Sequence, residues 1–70
     1  MNVEYDERAD AIYIRLKSAD IATTREVEDH LIVDLDAEGN MVGIELLFVS
    51  DYLAPDDVRN FTLTNLRSTA

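Results

Sequence analysis

Cysteine and tryptophan are absent from this 70-residue chain, proline and histidine occur once each, and glycine occurs twice. Without cysteine no disulfide can staple the fold, and no thiolate can ligate a metal or attack a substrate. The two glycines, Gly39 and Gly43, stand alone, so no glycine-rich phosphate loop is present. Six basic residues face fifteen acidic ones, a net charge of −9. A surface that negative repels phosphate backbones, so no nucleic-acid partner is expected. No apolar run approaches membrane-spanning length, and the N-terminal stretch is polar and acidic, so neither a membrane anchor nor a leader is expected. With no cysteine to argue for oxidising surroundings, the expected compartment is the cytoplasm.

What the chain does have is apolar alternation. Its 47% hydrophobic content is too high for a disordered tail. Seventy residues make one small domain that buries only about 60% of the surface its unfolded chain exposes. With no disulfide, association with another chain is the remaining staple for so small a core.

The stretch His30–Val49 organises the rest. Leu31, Val33 and Leu35 alternate on one side of a first run, and Val42, Ile44, Leu46 and Phe48 on one side of a second. Between them Ala37-Glu38-Gly39-Asn40 reads as a hairpin turn. Upstream, Val3 and Tyr5 mark a short strand, and Asp6–Asp10 a polar turn. Ile12, Ile14 and Leu16 alternate with Tyr13, Arg15 and Lys17 in a second strand. Ser18–Thr23 is a loop of small residues. Arg25–Asp36 reads as one long strand or as two broken near Asp29-His30.

The pattern predicts a mainly β (α+β) fold: an antiparallel β-meander of four to five strands over residues 1–50, with a tail over residues 51–70. Pro55 followed by Asp56 and Asp57 predicts a short helix there. Val58, Phe61, Asn65 and Leu66 fall loosely on one helical face. Phe61-Thr62-Leu63-Thr64 also alternates like a strand, so helix and irregular tail both remain open.

Met41–Ser50 is apolar on both sides, because Met41, Gly43, Leu47 and Val49 oppose the Val42 face. A strand apolar on both faces is covered on both. The tail or a second subunit is the expected cover. The expected interface therefore comprises Met41, Gly43, Leu47, Val49, Tyr52, Leu53 and Phe61, in a homodimer or higher oligomer. Gly43 inside a strand needs a reason: a bulge, a cross-strand aromatic, or a second backbone packed over it.

Chemical candidates are few. Asp34, Asp36, Glu38, Gly39 and Glu45 fall at positions one, three, five, six and twelve of a calcium-loop pattern. That loop needs a helix on each side, whereas LIVDL and VGIELLF have strand character, so an acidic hairpin turn is favoured over metal binding. Asp6, Glu7 and Asp10 cluster in the first turn and read as solvated. His30 follows the acidic run Glu26–Asp29 with no partner nucleophile. No catalytic residue and no cofactor site is identified.

Taken in order, YDERADAIYIRL at 5–16 and TREVEDHLIVDLDAEGNMVGIEL at 24–46 resemble the small bacterial family DUF2283. Its pattern runs Tyr-Asp-x-x-Ala-Asp-Ala-apolar-Tyr-Ile, Glu-Val, Val-Asp-Leu-Asp-x-x-Gly, Val-Gly-Ile-Glu. The resemblance covers Asn2–Ser50. It departs at His30, where the family often has glycine, and the tail inherits nothing from it. The family has no assigned activity. The resemblance implies an antitoxin-like or accessory partner beside a small ribonuclease-toxin-like protein. A non-enzymatic protein-binding role, with a basic protein as partner, is the expected function. A small metal-binding or hydrolytic domain using the acidic turns, and a purely self-associating domain, are the alternatives.

Overall fold

The structure, a computed structural model, describes residues 1–67. Five antiparallel strands form one sheet: β1 (Asn2–Asp6), β2 (Ala11–Arg15), β3 (Thr23–Glu28), β4 (Leu31–Leu35) and β5 (Met41–Leu47). A 3-10 turn (Val49–Asp51) and a short helix α1 (Pro55–Arg59) follow. The fold is thus mainly β, as the alternation predicts.

The strand order is β1-β2-β5-β4-β3. The chain meanders through β1–β2 and through β3–β4–β5, and β5 joins the two ladders by pairing with β2. Strands β2–β5 therefore make a Greek-key arrangement. The Ser18–Thr23 region carries the chain past two strands to the far edge. Arg15 steadies that crossing by donating from Nη2 to the Ala19 carbonyl at 3.0 Å.

The long segment from Arg25 to Asp36 is two strands, and the break falls at Asp29-His30. Glu28 pairs with Leu31, so the turn has two residues. Neither has positive φ. Unprimed two-residue turns splay the flanking strands. Here the register shifts between Glu26 and Glu28, leaving Val27 as the extra residue that absorbs the mismatch. A turn built this way needs no glycine, which accounts for histidine at position 30. The next turn, between β4 and β5, does need one: Gly39 has φ 84°.

Register sorts the side chains into two faces, since directly paired residues share a face. One row runs Val3, Ile14, Ile44, Val33, and another runs Tyr5, Ile12, Leu46, Leu31. The opposite face carries the row Glu4, Tyr13, Glu45, Ile32, Glu26 and the row Asn2, Arg15, Gly43, Asp34, Thr24. One face is apolar and the other polar. β5 is the central strand; on its polar side Gly43 lies under Tyr13 of the same chain, and on its apolar side Ile44 and Leu46 stay half-buried.

β5 ends one residue before Phe48, which takes a left-handed conformation with φ 55° and is 54% exposed. Phe48 therefore does not continue the Val42 face. The sharp bend aims the next residues back over the β1–β2 turn, where Val49 is fully buried and its N–H bonds the Asp10 carbonyl.

α1 starts where Pro55 predicts. Ala54 has no side-chain oxygen to cap it, but Asp57 accepts from the Ala54 N–H at 2.9 Å, the reverse half of a capping box. The helix ends at Arg59. Residues 60–67 are neither helix nor paired strand, so neither reading of Phe61–Thr64 is realised within the chain. The last residues of the tail, 68–70, lie outside those described. The turn and helix pack only at one end, where Val49, Leu53 and Val58 gather beside Tyr5. Among the described residues no second layer covers the apolar face.

Candidate functional site

The polar face holds the densest side-chain network. Tyr13 lies on β2 across from Glu45, and its ring slants over Gly43 of β5. A Cβ at position 43 would fall inside the Tyr13 ring and hydroxyl. Of the three reasons open for a strand glycine, two are present: Tyr13 of the same chain crosses over Gly43, and the register shift between Asp34 and Leu35 leaves Val42 beside it as an extra residue. The Tyr13 hydroxyl donates to Asp34 Oδ2 at 2.8 Å, and Thr24 Oγ1 donates to Oδ1 of the same carboxylate at 2.7 Å. Three strands are tied through Asp34 in this way. The hydrogen bond to Asp34, with some desolvation, holds the Tyr13 phenol above its ordinary pKa. A phenol held neutral with both carboxylate oxygens occupied is a structural tie, not a general base poised to act.

Asp34, Asp36, Glu38 and Glu45, the calcium-pattern residues, do not converge. Asp34 is committed to Tyr13 and Thr24. Asp36 Oδ1 accepts from the Glu38 and Asn40 N–H groups at 3.0 and 2.9 Å, closing the turn, and Oδ2 takes Lys17 Nζ at 2.8 Å. The Lys17 contact first, and the Asn40 N–H next, hold its carboxyl below the usual carboxylate range. Glu38 is exposed, and Glu45 stands on β5 between Tyr13 and Ile32. The flanking elements are strands. Among the described residues, no three His, Cys, Asp or Glu side chains are grouped so as to hold a metal ion.

The first-turn acids also have separate duties. Asp6 Oδ1 accepts from the N–H groups of Arg8 and Ala9, a local turn of the Asx type. Glu7 is exposed. Asp10, in a left-handed conformation with φ 54°, reaches Ser50: Oδ1 takes the Ser50 N–H at 3.0 Å and Oδ2 takes Oγ at 2.6 Å. It clamps the chain's return after β5 onto the first turn. Asp10 is thus a clamp on Ser50 and not a merely solvated turn acid. The available signal was Asp10 directly before the alternating run, where aspartate tolerates positive φ.

His30 stacks edge-on against Tyr52, ring centroids 5.7 Å apart. Tyr52 donates to the Leu47 carbonyl at 2.8 Å. Desolvation first, then the nearby charges of Asp10 and Asp51, raise its phenol pKa. Among the described residues no nucleophile or acid partners the imidazole.

Of the expected interface residues, Gly43 and Val49 are buried within the chain, Leu47 and Leu53 are half-buried, and Met41, Tyr52 and Phe61 are exposed. The larger uncovered surface lies elsewhere. Val3, Ile12, Ile14, Leu31, Val33, Ile44 and Leu46 shelter one another only sideways and are half-buried, not buried. Among the described residues only Ala11, Val42 and Val49 are buried apolar residues.

A single-layer antiparallel sheet with one bare apolar face and one knitted polar face defines a small β-sheet protein whose side-chain network is structural. The chain belongs to DUF2283, a family of proteins of unknown function, whose model matches residues 2–50. The match stops at Ser50, the residue clamped by Asp10. No curated protein and no solved structure matches the chain.

Proposed function

We infer that the chain is a non-enzymatic interaction module whose first partner is a second copy of itself, joined through the apolar face. The single observation that carries this reading is surface. The chain exposes 5704 Å², where a compact monomer of 7.9 kDa exposes roughly 4,400 Å². The excess, roughly 1,300 Å², is shared between the apolar face and the unpaired residues 60–67, whose Phe61, Leu63 and Leu66 are 64%, 74% and 88% exposed, and a standard interface takes ~800 Å² from each partner. Shape agrees: the radius of gyration is 14.0 Å, against about 11 Å for a compact domain of this length. The slab is 19 Å across its thinnest dimension. Two apolar sheet faces pack about 10 Å apart into a sandwich core, and one face of this chain is the complement of the same face on another.

The antitoxin-like or accessory role implied by the family pattern is compatible with this arrangement. In a face-to-face dimer the polar sides point outward. Each carries Glu4, Glu45 and Glu26 in one register row, a surface suited to a basic protein.

Sedimentation equilibrium of the full chain tests the self-association. A dimer at micromolar concentration, insensitive to salt because the contact is apolar, is the expected result. A monomer throughout that range overturns it.

A further inference from the structure

All fifteen acids and four of the six basic residues lie in the first 57 positions; beyond them lie Arg59, which pairs with Asp56 at 3.7 Å, and Arg67. Between the two arginines runs Phe61-Thr62-Leu63-Thr64, apolar and β-branched residues in strict alternation. This segment is unpaired, with Phe61 at 64%, Leu63 at 74% and Leu66 at 88% exposure. A strand-like, basic, apolar segment on an otherwise acidic protein is the complement of an acidic sheet edge.

The two edges of the sheet are not equivalent. β1 carries Val3 and Tyr5 on the apolar face, Glu4 and Asp6 on the polar face, and Glu7 directly after. An antiparallel strand added there with Phe61 beside Tyr5 and Leu63 beside Val3 puts Thr62 and Thr64 on the polar side and Arg59 level with Glu7. β3 offers Thr23 and Arg25 where apolar neighbours are needed, and its register break at Val27 bends that edge away from regular pairing. The chain's own tail leaves α1 close to Tyr5 and Glu7, yet residues 61–67 do not pair with that edge.

We propose that residues 60–67 pair along the β1 edge of a second copy, so that two copies exchange their C-terminal segments by strand addition. This rests on the self-association reading and adds which segment joins which edge.

Hydrogen exchange of the full chain, measured at concentrations below and above the dimer midpoint, tests it. Alternate amides of residues 61–64, and the half of the β1 amides that point away from β2, slow at least tenfold as the dimer forms. In two further variants, Thr62→Pro and Leu63→Pro, the proline falls in an exposed segment and leaves the sheet folded by circular dichroism. Successive N–H groups of a strand point to opposite sides, so one of the two variants loses a ladder bond and weakens the dimer at least tenfold. A dimer whose tail amides exchange freely overturns the strand exchange and leaves self-association standing. Protection of the tail already present in the monomer places the tail on its own β1 edge and overturns the exchange between copies. A chain that is monomeric at every concentration overturns both.

Discussion

The two faces of the sheet solve the same problem in opposite ways. On the polar side much of the polar surface is tied within the chain: Tyr13 with Asp34, Thr24 with Asp34, Arg15 with the Ala19 carbonyl, Lys17 with Asp36. No buried side-chain nitrogen or oxygen among the described residues lacks a hydrogen bond. On the apolar side, Ile14, Ile44, Val33 and their neighbours satisfy one another only laterally and remain open above. Hydrogen bonds can be closed inside a single layer, because they lie in the plane or along it. Apolar burial cannot, because it needs a second layer. The polar face is finished by this chain, and under the proposed self-association the apolar face is finished by a second copy.

The same substitution on either face separates them most sharply. Ile44 sits at the centre of the apolar face between Ile14 and Val33, and Ile32 sits on the polar face between Glu45 and Glu26. Lysine at Ile44 can keep its stem on the sheet and lift its ammonium to water only in the monomer. Two such charges in a face-to-face dimer raise the dissociation constant at least about 100-fold, equivalent to about 2.7 kcal/mol. Ile32→Lys places the ammonium between two glutamates, and dimerisation stays within about threefold of wild type. Sedimentation equilibrium on both variants reads the difference. Equal effects on association would remove the distinction between the faces.

The next contrast lies within the polar face. Gly43→Ala drives a methyl into the Tyr13 ring, so the ring swings off β5 and the bond to Asp34 is lost. The expected cost is about 1–3 kcal/mol of folding stability by urea denaturation. In a Tyr13→Ala background the space is free, and the cost of Gly43→Ala falls below about 0.5 kcal/mol or turns favourable, since alanine orders the strand more cheaply than glycine. Additive effects would mean that Gly43 answers to something other than Tyr13. A second copy's backbone, the other candidate for that approach, would show the penalty in the dimer alone.

Alternation made the five strands legible, because period two survives even where each strand is short. Pro55 with two acids after it was enough to place the helix start. What alternation cannot carry is order in space. Nothing local distinguishes β5 beside β2 from β3 beside β2, since both are antiparallel neighbours of the same pattern. The strand apolar on both sides was the available clue, and it signalled centrality in the sheet before it signalled an interface. Misplacing that cause directs attention to Gly43 and Val49, which the chain covers itself. The Asp10–Ser50 clamp spans forty positions, so no window on the sequence contains both partners. Asp34 was visible as an acid inside an apolar strand, and its partners Tyr13 and Thr24 follow only once the register is known.

The smallest effect falls on the polar side at its rim, where Asp36 meets Lys17. The Asp36 carboxyl titrates below its ordinary value in the folded chain. Its contribution to stability is therefore complete above the unfolded carboxylate pKa of about 3.9 and is lost as the pH falls through the lower folded value. Asp36→Asn keeps an oxygen for the Glu38 and Asn40 N–H groups and removes only the charge that faces Lys17. At neutral pH the variant melts slightly below wild type, and the gap closes as the pH is lowered from about 5 to about 3. Added salt closes the same gap at neutral pH, because this pair stands at the edge of solvent. Neither change moves the dimer dissociation constant, which answers to the apolar face. A pH-dependent dissociation that vanishes in Asp36→Asn would instead place this ion pair inside the contact between copies, and the two faces would then no longer divide folding from association.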